Sequence, residues 1–399
     1  MLRRSFLTAA ALAPTARPAE PKLEKIDVFT ANSEGYPLYR IPGIVVTAKG
    51  TILAYCEARK TLRGDWGSID IVMRRSTDGG TTWSPQRIIA QVPGPLSKNP
   101  MAQAQGLGAG DGITYNNPVA IVDPRRGTVH FLFCIEYMRA FYMRSDDDGV
   151  TFSAPVEITK TFEAFRPDYP WKVLATGPAH GIMTSRGRMI VPVWLSTGTG
   201  GHAHRPSVAS LIYSDDRGKT WKRGDIAFPD TPEQVIPNET IVAELADGRV
   251  MLNARSESKA HRRLVSTSPN GATHWSKPEF HQELLEPICM ASMVRLSTVK
   301  SHGKNRLLFA NPHNLDRADG KAEAGKSRDR RNVSVKMSYD EGLTWPVNRA
   351  IEPGPSGYSD IAATRDGTIL LLYERGRGDA LTLARFNVEW LTEGKDSIR

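Results

Sequence analysis

Residues Ser76 to Trp83 read STDGGTTW, and the phrase returns as SDDDGVTF from Ser145, SDDRGKTW from Ser214 and SYDEGLTW from Ser338, with a worn copy, SPNGATHW, from Ser268. The first residues are spaced by 69, 69, 54 and 70 positions. Such steps are too long for a helical-pair repeat and fit one four-stranded propeller blade with its loops, so each copy is expected at the same corner of successive blades. The phrase is a folding device rather than a set of catalytic aspartates. Its Ser and Asp side chains bond backbone amides in a turn, Gly supplies the positive φ, and the final Trp or Phe plugs between sheets. Asn270 in the aspartate slot keeps the turn chemistry without the charge.

Between these phrases run five strand–turn–strand segments: GIVVTAKGTILAYCEA, NPVAIVDPRRGTVHFLF, GIMTSRGRMIVPVWL, IVAELADGRVMLNARS and DIAATRDGTILLLYER. Each turns at a glycine-bearing step (Gly50, Gly127, Gly187, Gly248, Gly367) and reads as the inner hairpin of a blade. With 34 Gly, 27 Pro and no long amphipathic helical stretch, the chain is all-β. The roughly 370 residues after a leader, at about 60 to 70 per blade, give a six-bladed β-propeller that consumes residues 21–399 as a single domain.

The start, MLRRSFLTAAALAP, pairs Arg3 and Arg4 with a short apolar run and reads as a secretory leader over residues 1–20, of the twin-arginine kind. It predicts an exported protein, periplasmic or extracellular. No other segment approaches 18 apolar residues, so no membrane span is expected. Three scattered cysteines (Cys56, Cys134, Cys289) deny a disulfide framework, and Cys56 and Cys134 in strand-like runs read as core thiols. The net charge of +9, about +7 once the leader's share is removed, favours an anionic partner. Lys and Arg never stand more than two in a row, and no basic stripe is interleaved with aromatics, so nucleic acid is not the expected one. His180, His202 and His204 read as loop residues without a third ligand of fitting spacing; neither a metal nor any other cofactor is expected.

Arg40 opens the first apolar hairpin, Arg255 ends the run VMLNAR, and Arg330 opens the run before the last phrase. Three such residues from three blades are best explained together, as a positive cluster facing one carboxylate through forked hydrogen bonds.

From about Glu34 to Glu374 the chain resembles the exo-α-sialidases, the retaining neuraminidases of bacterial and animal type. The resemblance is carried by YRIP at Tyr39 to Pro42, the repeated phrase (the family's Asp-box), GDWGSIDIVMRRS, PNETIVAELADGRVMLNARS and a late GYSD, in the family's order. It implies that Arg40, Arg255 and Arg330 form the triad that grips the substrate carboxylate, with Asn332 fixing the frame in favour of Arg330 over Arg331. It also implies Asp65 as acid/base, Tyr358 as nucleophile, Glu239 as the glutamate beside it, Arg59 as the extra arginine near the acid/base loop, and Glu374 as the acid orienting Arg40. The implied substrates are sialylated glycans, meaning glycoproteins, glycolipids and oligosaccharides. A related nonulosonic acid, or a propeller that binds such glycans without catalysis, stays open.

The residue types suit that chemistry. A sialic acid carries its carboxylate on the anomeric carbon, which repels an Asp or Glu nucleophile, whereas a neutral tyrosine avoids the repulsion; sialidases are the tyrosine exception to the two-carboxylate scheme. A phenol must shed its proton as it attacks, and Glu239 is the expected base. Asp65 has to start neutral, so its pKa is expected to be raised by desolvation when its loop closes. Asp70 competes in the same segment, but the frame of the following strand favours Asp65 and would bury Asp70.

Overall fold

The computed structural model describes residues 20–62, 64–108 and 110–398, so the expected leader lies, apart from Glu20, outside the described residues. Among the described residues the architecture is all-β, with four helical pieces of four or five residues each. All five hairpins read from the sequence form, pairing Val46 with Ile52, Val122 with Val129, Met183 with Met189, Glu244 with Val250 and Ala363 with Ile369.

The strands of the described residues assemble into five sheets rather than six separate blades. Two are four-stranded meanders and two are five-stranded. The fifth has seven strands, because Val347–Ala363 is continuous and serves two neighbours. Its first part, to Pro355, pairs with Arg331–Ser338, and from Ser356 onward it pairs with Ile369–Arg375. At the far edge the N-terminal strand Leu23–Thr30 pairs antiparallel with Ala380–Phe386, tying the two ends of the chain together.

Every repeated phrase follows a strand, after Ile69–Ser76, Arg139–Ser145, Ser207–Ser214, Arg262–Ser268 and Arg331–Ser338; the first four lead to an edge strand of their sheet, and the last leads into Val347–Ala363. The turn chemistry repeats almost atom for atom. In the third copy Ser214 Oγ donates to Asp216 Oδ1 (2.8 Å) and accepts from the Gly218 amide (2.8 Å), while Asp216 accepts from the Thr220 amide (2.9 Å) and hydroxyl (2.6 Å). Gly218 sits at φ 81°, and a Cβ there would lie 2.5 Å from the Tyr142 ring, so only glycine fits. Trp221 and Trp345 are buried in two different apolar clusters, and Trp83, Phe152 and Trp275 pack against three others. Because Ser214 is buried, Ser214→Ala strands the Gly218 N–H without water to replace the hydroxyl. It is expected to cost about 1–3 kcal/mol in urea unfolding.

All three cysteines are buried and unpaired. Among the described residues no helix is long and apolar enough to cross a membrane.

Candidate active site

In an antiparallel meander the start of one strand and the end of the next share an edge, and the arginines exploit this. Arg40 is the third residue of Leu38–Val46; Arg255 directly follows Val250–Ala254; Arg330 directly precedes Arg331–Ser338. Glu239 stands just before Thr240–Glu244 and faces Arg255 across the hairpin, the Arg255 amide donating to the Glu239 carbonyl (3.0 Å). Tyr358 and Glu374 lie on the paired strands Val347–Ala363 and Ile369–Arg375, and Asp65 on the loop after Ile52–Arg59. A cavity of about 250 Å³ is lined by Arg40, Arg255, Arg330, Tyr358, Glu239 and Asp65 together.

Tyr358 is the hub. Its hydroxyl donates to the Glu239 carboxylate, 2.7 Å from either oxygen, and accepts from Arg255 Nη1 at 2.7 Å. Arg255 Nη1 also pairs with Glu239 Oε2. The guanidinium carbons of Arg40 and Arg330 lie 5.0 and 5.1 Å from the centre of the tyrosine ring. Glu374 braces this arrangement, accepting from Arg40 Nε (2.9 Å), the Ile41 amide (3.2 Å) and the Tyr358 amide (3.1 Å). That approach requires Gly357, where a Cβ would lie 2.3 Å from Glu374 Oε2. Arg330 donates to the Ile288 carbonyl (2.8 Å), and among the described residues no carboxylate pairs with it.

Arg59 is buried and links the Asp65 loop to the interior. Its Nη1 donates to Asp65 Oδ1 (2.9 Å) and the Gly64 carbonyl (2.7 Å), and its Nη2 to Glu57 Oε2 (2.7 Å). Arg40 Nη1 lies 3.7 Å from the same Asp65 oxygen.

The chain matches the BNR repeat-like domain family over residues 102–371 and the BNR/Asp-box repeat over residues 74–85. It is 30% identical to a sialidase of Micromonospora viridifaciens over 96% of its length. The chain belongs to the sialidase family. It spans 56% of that relative and 62% of a Bacteroides fragilis sialidase, also 30% identical, that matches 88% of this chain. Among solved structures the Hadza microbial sialidase Hz136 superposes with a TM-score of 0.73 at 28% identity, covering 92% of this chain and 69% of that one. The intramolecular trans-sialidase of Ruminococcus gnavus, solved with oseltamivir carboxylate, reaches 0.71 at 18% identity over 92% of this chain and 98% of its own, a likeness of fold.

In this sialidase-family site burial pushes the Tyr358 phenol well above its usual pKa, with Glu239 adding to the effect and Arg255 opposing it. The phenol is neutral. Asp65 departs from the sequence expectation of a raised pKa. Burial does push it up, but Arg59 and Arg40 outweigh this and hold its carboxyl well below the usual range. Its side chain is 43% exposed, so water screens part of that pull. Asp70 differs too: it is half-buried, accepting from the Tyr36 hydroxyl at 2.7 Å.

Several residues that line or support the site escaped the sequence reading. Glu57, wholly buried, accepts the Asn117 amide (2.9 Å) while holding Arg59. Trp66, Tyr137 and His204 stack into one aromatic wall, with ring centres 4.6 Å (Trp66–Tyr137) and 4.7 Å (Tyr137–His204) apart. His202 and His204, read as loop residues, line the cavity, and burial holds the His204 ring down to about 3, so it is neutral there. His180 lies instead on a short strand, its Nδ1 2.7 Å from the fully buried Asp360. Trp66 adjoins Asp65, an adjacency that could have pointed to it; Tyr137 follows an apolar strand that gave no sign of facing a site. Among the described residues no three His, Cys, Asp or Glu groups gather to hold a metal.

Proposed function

We propose that the chain is an exo-α-sialidase, hydrolysing terminal α-linked sialic acids of glycoproteins, glycolipids and oligosaccharides with retention and without a cofactor. The observation that carries this reading is the phenol of Tyr358, hydrogen-bonded to Glu239 and Arg255 and flanked by Arg40 and Arg330. The three guanidiniums grip the substrate carboxylate and so present the adjacent anomeric carbon to the phenol.

In the first step Tyr358 Oη attacks that carbon and passes its proton to Glu239, while protonated Asp65 gives its proton to the departing glycosidic oxygen. In the second step water attacks the tyrosyl-linked sugar, losing a proton to Asp65, and Tyr358 recovers its own from Glu239. Two inversions give retention. Asp65 acquires its proton because an incoming carboxylate occupies Arg40 and offsets the positive field that ionises it in the empty site. Arg59 keeps the acid loop in place, and Glu374 orients Arg40.

The same reading takes the seven-stranded sheet as two blades joined through Val347–Ala363, which makes a six-bladed propeller of residues 21–399, exported by its leader to the periplasm or beyond the cell. The direct test is release of free sugar from a fluorogenic sialoside and from sialyllactose; binding of sialyllactose without release would assign a non-catalytic glycan-binding propeller instead. Arg330, without a carboxylate partner, has N–H groups free for the substrate. Arg330→Lys removes the planar fork and is expected to raise KM about ten- to a hundredfold with a smaller change in kcat, read from initial rates.

A further inference from the structure

A second cavity, about 1280 Å³, opens beside the catalytic one and meets it at Arg40 and Arg330. Pro355, Ser356 and Gly357 line it and lead in sequence directly to Tyr358. Leu62 lines it too, three residues before Asp65 on the acid loop and 68% exposed. The groove therefore borders the loop that carries Asp65, on which the leaving group has to depart.

Its charge is the unusual part. Beyond the two arginines shared with the site, Arg328, Arg331 and Arg377 line it. The carboxylates in the same lining are partly committed. Glu374 is bound to Arg40, and Asp329 Oδ2 accepts the Ala318 amide at 2.7 Å; Asp379 completes the set. Arg328 is spent on backbone carbonyls of its own loop. Arg331 and Arg377 are exposed, and among the described residues neither side chain has a hydrogen bond or an ion pair. Two unpartnered guanidiniums thus face a cavity continuous with the arginine cluster. They come from the start of Arg331–Ser338 and from the turn between Ile369–Arg375 and Ala380–Phe386.

We infer that this groove is a leaving-group subsite for an acidic aglycone, with Arg331 and Arg377 reading a carboxylate or sulfate on the sugar next to the one removed. The inference rests on the sialidase reading and adds to it a preference the arginine triad cannot supply, since the triad engages only the terminal sugar. Exposed guanidinium–anion contacts are individually weak, and two together favour an acidic aglycone by roughly fivefold in kcat/KM at low salt. Raising the salt from 20 mM to 0.5 M should erase most of that, because screening shortens the reach of exposed charges.

The test compares four substrates: an aryl sialoside, α2,3-sialyllactose, an α2,8-linked disialyl lactoside whose second sugar carries a carboxylate, and a sialyl galactoside sulfated on the galactose. Wild type is expected to prefer one or both acidic substrates over sialyllactose. A preference for the disialyl compound alone assigns the groove to a second acidic sugar, and one for the sulfated compound alone assigns it to a sulfate ester. The double variant R331S/R377S should bring the acidic substrates to within about twofold of sialyllactose while leaving the aryl sialoside unchanged. Absence of the preference in wild type, or its survival in the double variant, overturns the subsite. Failure of wild type to release sugar from any of the four overturns the sialidase reading itself, a different and separable result.

Discussion

Tyr358→Phe is expected to lower kcat on an aryl sialoside by at least about 10³-fold, some 4 kcal/mol of barrier, while the melting temperature stays within about 2 °C of wild type. The phenol oxygen is the only heavy atom lost, and in the proposed mechanism it is the one that forms the bond to the sugar. The fold should not notice. The ring remains buried between Arg40 and Arg330, and the Glu239 partner it leaves behind is still paired with Arg255, so no buried charge is orphaned. Substrate binding should persist, since Arg40, Arg255 and Arg330 keep their places; equilibrium binding of sialyllactose to the variant within about threefold of wild type checks this. Unchanged turnover by the variant would remove tyrosine from the nucleophile role, and collapse of the melting temperature would make the residue structural.

Much of this arrangement was legible because its signals are local. A phrase with Ser, Asp and Gly at fixed offsets dictates one turn wherever it occurs, and the five hairpins announce themselves by alternation around a glycine. The inner hairpin Ser292–Ser297 with Arg306–Pro312 was not singled out: its strands are joined by a longer link with a helical turn, Val299–His302, instead of a tight glycine step. The blade count was blurred for a related reason. Nothing in VNRAIEPGPSGYSDIAA, with two prolines and two glycines, signals one unbroken strand of 17 residues.

What the sequence concealed at the site is backbone rather than side-chain identity. Register shifts fall between Arg40 and Gly43, Asn116 and Val119, Arg331 and Val333, and Ser356 and Ser359. Left-handed residues accompany several of them: Ile41 at φ 59°, Asn117 at 53° and Asn332 at 60°. Ile288, at 64°, offers its carbonyl to Arg330. For asparagine this is tolerable; for a β-branched isoleucine it is strained, and its neighbours hold it there. Glu286 does so at Ile288. Its side chain accepts the Cys289 amide (2.8 Å) and binds the buried Arg263 (2.6 Å). Bulges of this kind re-aim the side chains beside them, which is how arginines from separate sheets converge on one phenol. No propensity scale places an isoleucine there. The field on Asp65 was hidden for another reason, since it depends on how closely Arg59 and Arg40 approach in space.

That field makes Asp65 the second decisive substitution. In the proposed mechanism Asp65→Asn removes a carboxyl that must be protonated for the first step and ionised for the second, so its cost should depend on the leaving group. With sialyllactose the departing sugar alkoxide needs the proton, and kcat/KM should fall by about 10²–10⁴. An aryl sialoside, whose phenolate leaves unaided, should lose less than about tenfold in kcat/KM. Its kcat should nevertheless drop further, because water attack on the tyrosyl intermediate has lost its base, and a burst of released phenol followed by slow turnover is the expected trace. The pH profile carries the sign. With protonated Asp65 as the proposed active form in the first step, wild-type kcat on sialyllactose is expected to decline as pH rises through the carboxyl's pKa in the complex, and the variant should lose that decline. Equal losses on both substrates, with no burst, would mean that Asp65 anchors Arg40 and Arg59 and moves no proton.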